Sequence, residues 1–173
     1  MEVMKDLMVD IETMGTGPSA AIIQIGACYF DRKTGQIGPN FLVNIDLEDS
    51  IANGFTVDPN TQVWWAKQDQ TILAEILSSG LPAKQALEQF RKFVRNGVPI
   101  WSHATFDFVL LQNSLKALGL PPLNYKMARD IRTLVDLSGI NLNDYDWSKK
   151  THNAYDDCVF QVSYCTDALR KAA

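Results

Sequence analysis

The order of the apolar segments is the feature that most constrains the fold of this 173-residue chain. Three strand-like segments, 7–11, 22–30 and 41–45, come first and are joined by short links, which predicts an antiparallel meander. Helical patterns then alternate with two short strand-like segments at 98–101 and 127–130. Strands followed by alternating helix and strand predict an α/β fold with a mixed five-stranded sheet.

The helical segments carry start and stop signals. Asp58 before Pro59 predicts a helix through 63–65, because aspartate caps helices and proline is favoured at their first position. Further helices are expected over 72–77, 82–94, 106–118, 133–137 and 153–169. The irregular stretch 139–150 is long enough to suggest a functional loop. No internal repeat or linker interrupts the chain, so we predict one domain over 1–173.

Asp10 and Glu12 lie two residues apart in the first strand-like segment, so their side chains point to the same face. Two unit charges about 4 Å apart repel by roughly 4 kcal/mol at an effective dielectric constant near 20. A fold that keeps such a pair together needs a cation or shifted pKa values. The alternative is that Glu12 lies beyond the end of the strand and is solvated.

Asp107, His152 and Asp157 each lie next to a predicted element boundary. Taken singly, an aspartate in the first turn of a helix is explained by the helix dipole, and a histidine before a helix by capping or surface exposure. The five residues together form the ordered pattern D-x-E, F-D and H-x4-D. Four acids and a histidine brought together could hold two divalent metal ions and cleave a phosphodiester.

Charge and cysteine content exclude some classes of protein. A net charge of −4 and a pI of about 5.1 argue against a protein that coats nucleic acid through a basic surface, although not against an enzyme that grips one strand end. The start of the chain lacks the pattern of a signal peptide, and no apolar run would span a bilayer. Three cysteines without metal-binding spacing are expected to be reduced, which predicts a cytoplasmic protein.

Three segments resemble the exonuclease motifs of the DEDDh, or DnaQ-like, 3′–5′ exonuclease superfamily: Asp10-Ile11-Glu12-Thr13, Phe106-Asp107 and His152-x4-Asp157. Trp64-Trp65, Trp101-Ser102 and Arg129-Asp130-x-Arg132-Thr133 resemble the small phage and bacterial 3′–5′ exoribonuclease group, the Rv2179c-like domain. The resemblance extends from residue 10 to about 169. It implies an RNase H-like fold with helices on both faces of the sheet.

The resemblance also implies a role for each motif residue. Asp10, Glu12 and Asp157 would bind the first of two ions, either Mg²⁺ or Mn²⁺, and Asp10 with Asp107 would bind the second. His152 would be the general base. Another branch of the superfamily has a tyrosine four residues before the last aspartate, and Asn153 at that position favours the histidine branch.

By the same resemblance, the turn at Thr13 and Met14 would meet the 3′-terminal nucleotide, with Gly15 and Gly17 allowing close approach of the backbone. Adjacent helical tryptophans diverge by about 100°, so one of Trp64 and Trp65 can pack inward while the other faces a base. Candidate phosphate contacts are Arg129, Arg132, Lys149 and Lys150. Core packing for Met14 and both tryptophans, and solvated surface charge for the cations, are the alternatives.

One departure from the family pattern is His103-Ala104-Thr105, where many relatives carry Asn or Gln. His103 is expected either to support the site from outside it or to be a partly buried turn histidine. This departure bears on contacts to the terminal nucleotide rather than on the chemistry.

The sequence therefore predicts a metal-dependent 3′–5′ exonuclease that removes nucleoside 5′-monophosphates from RNA with a free 3′ end. A DNA exonuclease of the same mechanism, a non-catalytic module that binds nucleic-acid ends and an RNase H-type endonuclease are the alternatives. The spacing of D-x-E and H-x4-D argues against the endonuclease. Analogy with the small relatives suggests a homodimer.

Overall fold

The computed structural model describes residues 4–173, so residues 1–3, part of the segment without a signal-peptide pattern, lie outside the described chain. The strands are β1 (Asp6–Thr13), β2 (Ile22–Phe30), β3 (Ile37–Asn44), β4 (Ile100–Ser102) and β5 (Ala128–Asp130). The helices are α1 (Leu47–Ala52), α2 (Pro59–Trp65), α3 (Gln70–Ser78), α4 (Ala83–Phe93), α5 (Asp107–Ala117), α6 (Ile131–Ser138) and α7 (Ala154–Ala172). None of the helices in the described chain is long and apolar enough to cross a membrane.

The sheet has the order β3-β2-β1-β4-β5 and is mixed. Strands β1, β2 and β3 pair antiparallel, as their short links predict, whereas β4 and β5 add in parallel on the other side of β1. Strand β1 is therefore central, and all eight of its residues are buried. The predicted mixed five-stranded α/β fold is confirmed.

Helices cover both faces of the sheet because successive strand residues point to opposite sides. On one face, Leu7, Val9 and Ile11 join the larger core beneath α2 to α5. On the other face, Met8 packs in a smaller core against α6 and α7. Asp10 and Glu12 share the face of Met8, so both acids point toward the side that α7 covers.

Most sequence-based boundaries differ from the structure by one or two residues, and three differences have a clear physical reason. Strand β1 continues through Glu12 to Thr13, so the alternative of a solvated Glu12 beyond the strand is wrong. Strand β3 begins at Ile37 although none of the residues in its first half is buried, since pairing with β2 rather than burial supports that half. Helix α1 was not predicted, because six residues capped by Asp46 are too short to show a helical period.

The start of α7 lies unusually close to strand β2. A Cβ atom on Gly26 would overlap the backbone of Ala154 and Tyr155, so only glycine permits this approach. Gln24, which is buried, accepts a hydrogen bond from Ala154 N–H at 2.8 Å. The Cys158 thiol donates to the Gly26 carbonyl at 3.3 Å. These contacts fix the position of the segment that carries His152 and Asp157.

The three cysteines, Cys28, Cys158 and Cys165, are free and buried. Their reduced state stays a prediction.

Candidate active site

The five residues of the predicted constellation line one cavity of about 580 Å³. Strand β1 supplies Asp10 and Glu12, the first residue of α5 is Asp107, and the turn before α7 and its first turn supply His152 and Asp157. Residues that are far apart in sequence thus meet at the end of β1. Helix α2 also lines the cavity, through Asn60, Thr61, Trp64 and Trp65.

The two strand acids are buried, with 6% of Asp10 and 7% of Glu12 exposed. Asp10 Oδ1 accepts one hydrogen bond, from Gln161 Nε2 at 2.8 Å. Burial, and then the neighbouring charges of Asp107 and Asp157, raise the pKa of Asp10 well above its usual value. Burial and the charge of Asp10 do the same to the pKa of Glu12. Without a cation, the fold therefore favours the neutral forms of both acids.

Asp107 begins α5, and its Oδ2 accepts the backbone N–H of His103 at 2.9 Å. Burial raises the pKa of Asp107 to about 7, and its hydrogen bonds oppose this shift without cancelling it. The ring Nδ1 of His103 lies 3.8 Å from the same oxygen. Burial and the nearby cations lower the pKa of His103 to about 4, so its imidazole is neutral at pH 7.

Asp157 connects the turn before α7 to the helix by a hydrogen bond. Its Oδ1 accepts the backbone N–H of Thr151 at 2.9 Å, while Oδ2 is buried and has no hydrogen-bond partner. Within this turn, His152 has a left-handed φ of 62°, a conformation that costs energy for a residue other than glycine. Burial lowers the pKa of His152, although the charge of Asp157 opposes this effect.

The donor atoms fall into two groups that could each hold a metal ion. One group is Asp10, His103 and Asp107, and the other is Glu12, His152 and Asp157. In each group the donor atoms lie within 4.8 Å of one another. The unpartnered Oδ2 of Asp157 and the raised pKa of Asp10 fit a site built for cations. Carboxylate-rich groups fit hard divalent ions.

Residues of the turn after β1 line the same cavity. Thr13 and Gly15 lie at its edge with Thr16, and the Thr13 hydroxyl donates to the Gly15 carbonyl at 2.6 Å. Gly17 is not among the lining residues. Met14 is 5% exposed and packs in the larger core, so its position agrees with the core alternative rather than with a base contact.

The adjacent tryptophans of α2 diverge as their helical spacing predicts. Trp65 is 2% exposed, packs in the larger core and donates from Nε1 to the Thr13 carbonyl at 2.9 Å. Trp64 is 42% exposed, lines the cavity and lies edge-on to His152, with 4.9 Å between the ring centroids. Trp65 therefore supports the turn from behind, and Trp64 presents an aromatic surface to the cavity.

The four candidate cations separate into two pairs. Arg132 and Lys150 line the cavity and oppose the raised pKa of Asp107. Arg129 instead donates to the carbonyls of Lys126 and Ala128, and neither it nor Lys149 lines the cavity. Asp130 organises this region, because it caps α6 and also accepts the backbone N–H of Ala104 at 3.1 Å.

Gln161 is the residue that sequence reasoning missed. It is 2% exposed and holds Asp10 from α7. Its position four residues after Asp157 places it on the same face of the helix, which is the signal that could have identified it. The start of α2 also contributes polar residues to the cavity wall that no motif indicated, namely Asp58, Asn60 and Thr61.

The family model of the 3′–5′ exoribonuclease Rv2179c-like domain matches residues 5–169. The chain belongs to this family. The fold brings the residues of the three exonuclease motifs together in the cavity, whereas Trp101, Ser102 and Arg129 from the family resemblance do not line it. No curated protein matches the sequence.

Among solved structures, the chain is similar to Escherichia coli Exonuclease I in complex with a dA16 oligonucleotide, with a TM-score of 0.69 and 16% identity over 92% of this chain. It is also similar to Exonuclease I from Methylocaldum szegediense, with a TM-score of 0.67 and 14% identity over 92% of this chain. This chain spans 39% of the length of each. The likeness shows the RNase H-like nuclease fold that these proteins share with the chain.

Proposed function

We propose that residues 1–173 form a single metal-dependent 3′–5′ exonuclease domain that releases nucleoside 5′-monophosphates from RNA. The observation that supports this most strongly is the cavity in which four buried acids and His152 meet, with raised pKa values on the acids and an unpartnered carboxylate oxygen on Asp157. The family description supports RNA as the substrate.

Asp10, Glu12, Asp107 and Asp157 would hold two divalent ions, Mg²⁺ or Mn²⁺. When bound, such ions activate an attacking water molecule and stabilise the leaving 3′ oxygen. His152 would accept the proton of that water, since its lowered pKa keeps the imidazole neutral at pH 7. Its left-handed backbone points to a side chain held in place for a task.

The remaining cavity residues would position the strand end. The turn at Thr13 and Gly15 would receive the 3′-terminal sugar, and Trp64 would stack on the terminal base, which is typically worth about 1–3 kcal/mol. Arg132 and Lys150 would contact phosphates. A base contact of Met14 stays a prediction that its burial does not support.

A DNA 3′–5′ exonuclease is the second candidate. It is favoured by the fold likeness to Exonuclease I bound to oligodeoxynucleotides. Discrimination between the two sugars depends on contacts with the 2′-OH. A non-catalytic module that binds nucleic-acid ends is a third candidate, although it gives no reason for the crowded acids. A homodimer and a cytoplasmic location stay predictions.

End-labelled RNA and DNA, each single-stranded or with a 3′ overhang, should be incubated with Mg²⁺, Mn²⁺ or EDTA. We expect stepwise shortening of RNA from its 3′ end with either ion and none with EDTA. A 3′-phosphate should block the reaction, whereas a 5′ block should not. Cleavage of a circular strand would indicate an endonuclease, and binding without cleavage under all conditions would indicate a non-catalytic module.

A further inference from the structure

A second cavity, of about 590 Å³, adjoins the catalytic cavity. The two cavities share His103, Arg132, Lys150 and Asp157, so they form one continuous trench. Its walls are α6, α7 and the irregular segment 139–150. The functional loop expected from the length of that segment therefore forms a wall of this second cavity.

The inner surface of the second cavity is aromatic. Phe160 and Tyr164 on α7 lie edge to face, with 5.5 Å between their centroids, and the Trp147 ring lies 5.0 Å from that of Phe160. Trp147 is held in place by the hydrogen bond from its Nε1 to the Leu142 carbonyl at 2.8 Å, yet it is 43% exposed. A flat aromatic group such as a nucleobase would find apolar contacts on this surface.

Two residues that line the cavity, Asp157 and Gln161, each have a buried oxygen without a hydrogen-bond partner. Gln161 lines it and is 2% exposed, and its Nε2 is used by Asp10 while its Oε1 is buried without a hydrogen-bond partner. A buried acceptor without a donor destabilises the protein, and an N–H group of a bound base would supply the missing donor once the Gln161 amide turns toward the cavity.

The position of Trp64 gives the direction of the nucleic-acid strand. Trp64, which is proposed to hold the terminal base, lies edge-on to His152 and does not line the second cavity. His152 is the proposed base for the attacking water, and in an in-line displacement the leaving oxygen lies on the opposite side of the phosphorus atom. The second cavity contains neither Trp64 nor His152, and it joins the catalytic cavity at His103 and Asp157. It is therefore the cavity open to the nucleoside that keeps its 3′ oxygen.

The positive charges where the two cavities meet also fit a bound nucleotide. Arg132 is exposed, lies where the two cavities join and forms no ion pair within residues 4–173. Lys150 lies at the same junction. Two cations between an acidic site and an aromatic pocket suit the phosphates that flank a nucleoside placed there.

We propose that the second cavity binds the base of the penultimate nucleotide, on the 5′ side of the scissile bond. The inference rests on the proposed exonuclease function and adds a specificity subsite to it. A strand end then occupies the trench with its terminal base at Trp64 and its penultimate base against Tyr164 and Trp147.

The test combines a protein variant whose second cavity is filled with RNA substrates that lack one base. Val135 on α6 lines the second cavity but not the catalytic one, so Val135→Trp fills the pocket without touching a proposed catalytic group. The matched control is Val109→Trp, which adds the same side chain at an exposed position of α5. Circular dichroism and thermal unfolding check both folds, and Val135→Gln replaces the first variant if it does not fold.

The substrates are an RNA oligomer, the same oligomer without the penultimate base, and one without the terminal base. For the wild-type protein and Val109→Trp, loss of the penultimate base should lower kcat/KM by roughly 5- to 150-fold, the usual range for one stacked base. Val135→Trp should show a similar loss on the intact oligomer and little further loss when the penultimate base is absent.

Equal kcat/KM of the wild-type protein on the intact oligomer and on the oligomer without the penultimate base would overturn the proposal. An equal loss of kcat/KM by Val135→Trp on all three substrates would also overturn it. So would a Val135→Trp variant whose kcat/KM no longer depends on the terminal base but still depends on the penultimate base. Sedimentation is measured in parallel, since dissociation of a dimer by Val135→Trp together with that equal loss would identify the cavity as a contact between copies of the chain.

A binding measurement separates this proposal from the proposed function. An oligomer with 2-aminopurine at the penultimate position, bound in the presence of Ca²⁺, should lose fluorescence on the wild-type protein and on Val109→Trp but not on Val135→Trp. Quenching without cleavage in Mg²⁺ or Mn²⁺ would overturn the exonuclease and retain the base pocket. Cleavage without quenching would retain the exonuclease and overturn the base pocket.

Discussion

Strand β1 carries acids on the same face at both of its ends, and their surroundings differ. At its beginning, Asp6 is 1% exposed and accepts two hydrogen bonds from Arg32, at 2.6 and 2.8 Å, and one from Trp101 Nε1 at 2.9 Å. A bidentate guanidinium and an indole N–H satisfy this carboxylate. The beginning of the strand thus holds a buried charge that is already neutralised.

At the other end, Asp10 and Glu12 are buried almost as deeply, yet neither forms an ion pair within residues 4–173. Burial raises both pKa values, and the charges of neighbouring acids, Asp157 among them, raise them further. Both ends belong to one rigid strand, so the difference comes from the partners that each side chain receives. A buried acid is therefore no sign of a site by itself, whereas buried acids left without counter-charges are.

The substitution Asp10→Asn tests the catalytic end and should have the largest effect. It would remove a ligand shared by both proposed ions, so we expect activity to fall by about 10³-fold or more. Thermal unfolding without metal should show an unchanged or higher melting temperature, because one of two crowded charges is gone. Wild-type turnover by the folded variant would contradict the metal assignment.

His152 is the group at the catalytic end of β1 that is proposed to take a proton. His152→Ala should lower kcat by roughly 10²- to 10⁴-fold, as loss of a general base does, while Mn²⁺ binding is retained by the four acids. Burial lowers the pKa of His152, so the wild-type rate should rise with pH through the acidic range and level off by neutral pH. The variant should lose most of that rise; an unchanged pH profile would remove His152 from the mechanism.

The stability of the metal-free protein should depend on pH through the catalytic end. The lowered pKa values of His103 and His152 make stability rise with pH over the acidic range, and three acids oppose these two histidines. Burial raises the pKa of Asp107 to about 7 and raises those of Asp10 and Glu12, so these three acids bind more protons in the folded state than in the unfolded state above about pH 4. This stabilisation is fully present below pH 4 and is lost as pH rises through the folded pKa values.

We expect the free energy of unfolding without metal to fall by about 1–3 kcal/mol between pH 5 and 8. Saturating Mg²⁺ or Mn²⁺ should offset most of the loss, because bound cations favour the ionised acids. Denaturant unfolding at several pH values measures both. In Asp10→Asn the dependence should be weaker, and an equal dependence with and without metal would argue against cation binding by these acids.

The matched substitution at the beginning of the strand is Asp6→Asn, and it should have the smallest effect. Loss of the charge partner of Arg32 should cost about 1–3 kcal/mol of stability, since Asn can still accept from Trp101. Activity should be unchanged, because the position lies roughly 13 Å along the strand from Asp10. A loss of activity in the folded Asp6→Asn variant would contradict the claim that only the other end of β1 takes part in catalysis.

Much of the candidate site was predictable, because its residues come in short local patterns. The D-x-E spacing on a strand places two acids on one face, and Asp107 and Asp157 lie at helix starts that their neighbours indicate. These patterns do not show how deeply each side chain is buried. The sequence left open whether Glu12 is buried or solvated, and pairing of the whole of β1 with β2 decided that it is buried.

The order of the elements other than α1, the mixed sheet and the identity of the five clustered residues follow from local periodicity and spacing in the sequence. The partners of those residues follow from long-range packing instead. Gln161 reaches Asp10 from a helix 151 residues away in the chain, and Gly26 admits α7 only because two backbones come into contact there. The trench beside the acids exists for the same reason: α6, α7 and segment 139–150 enclose space only once they pack together.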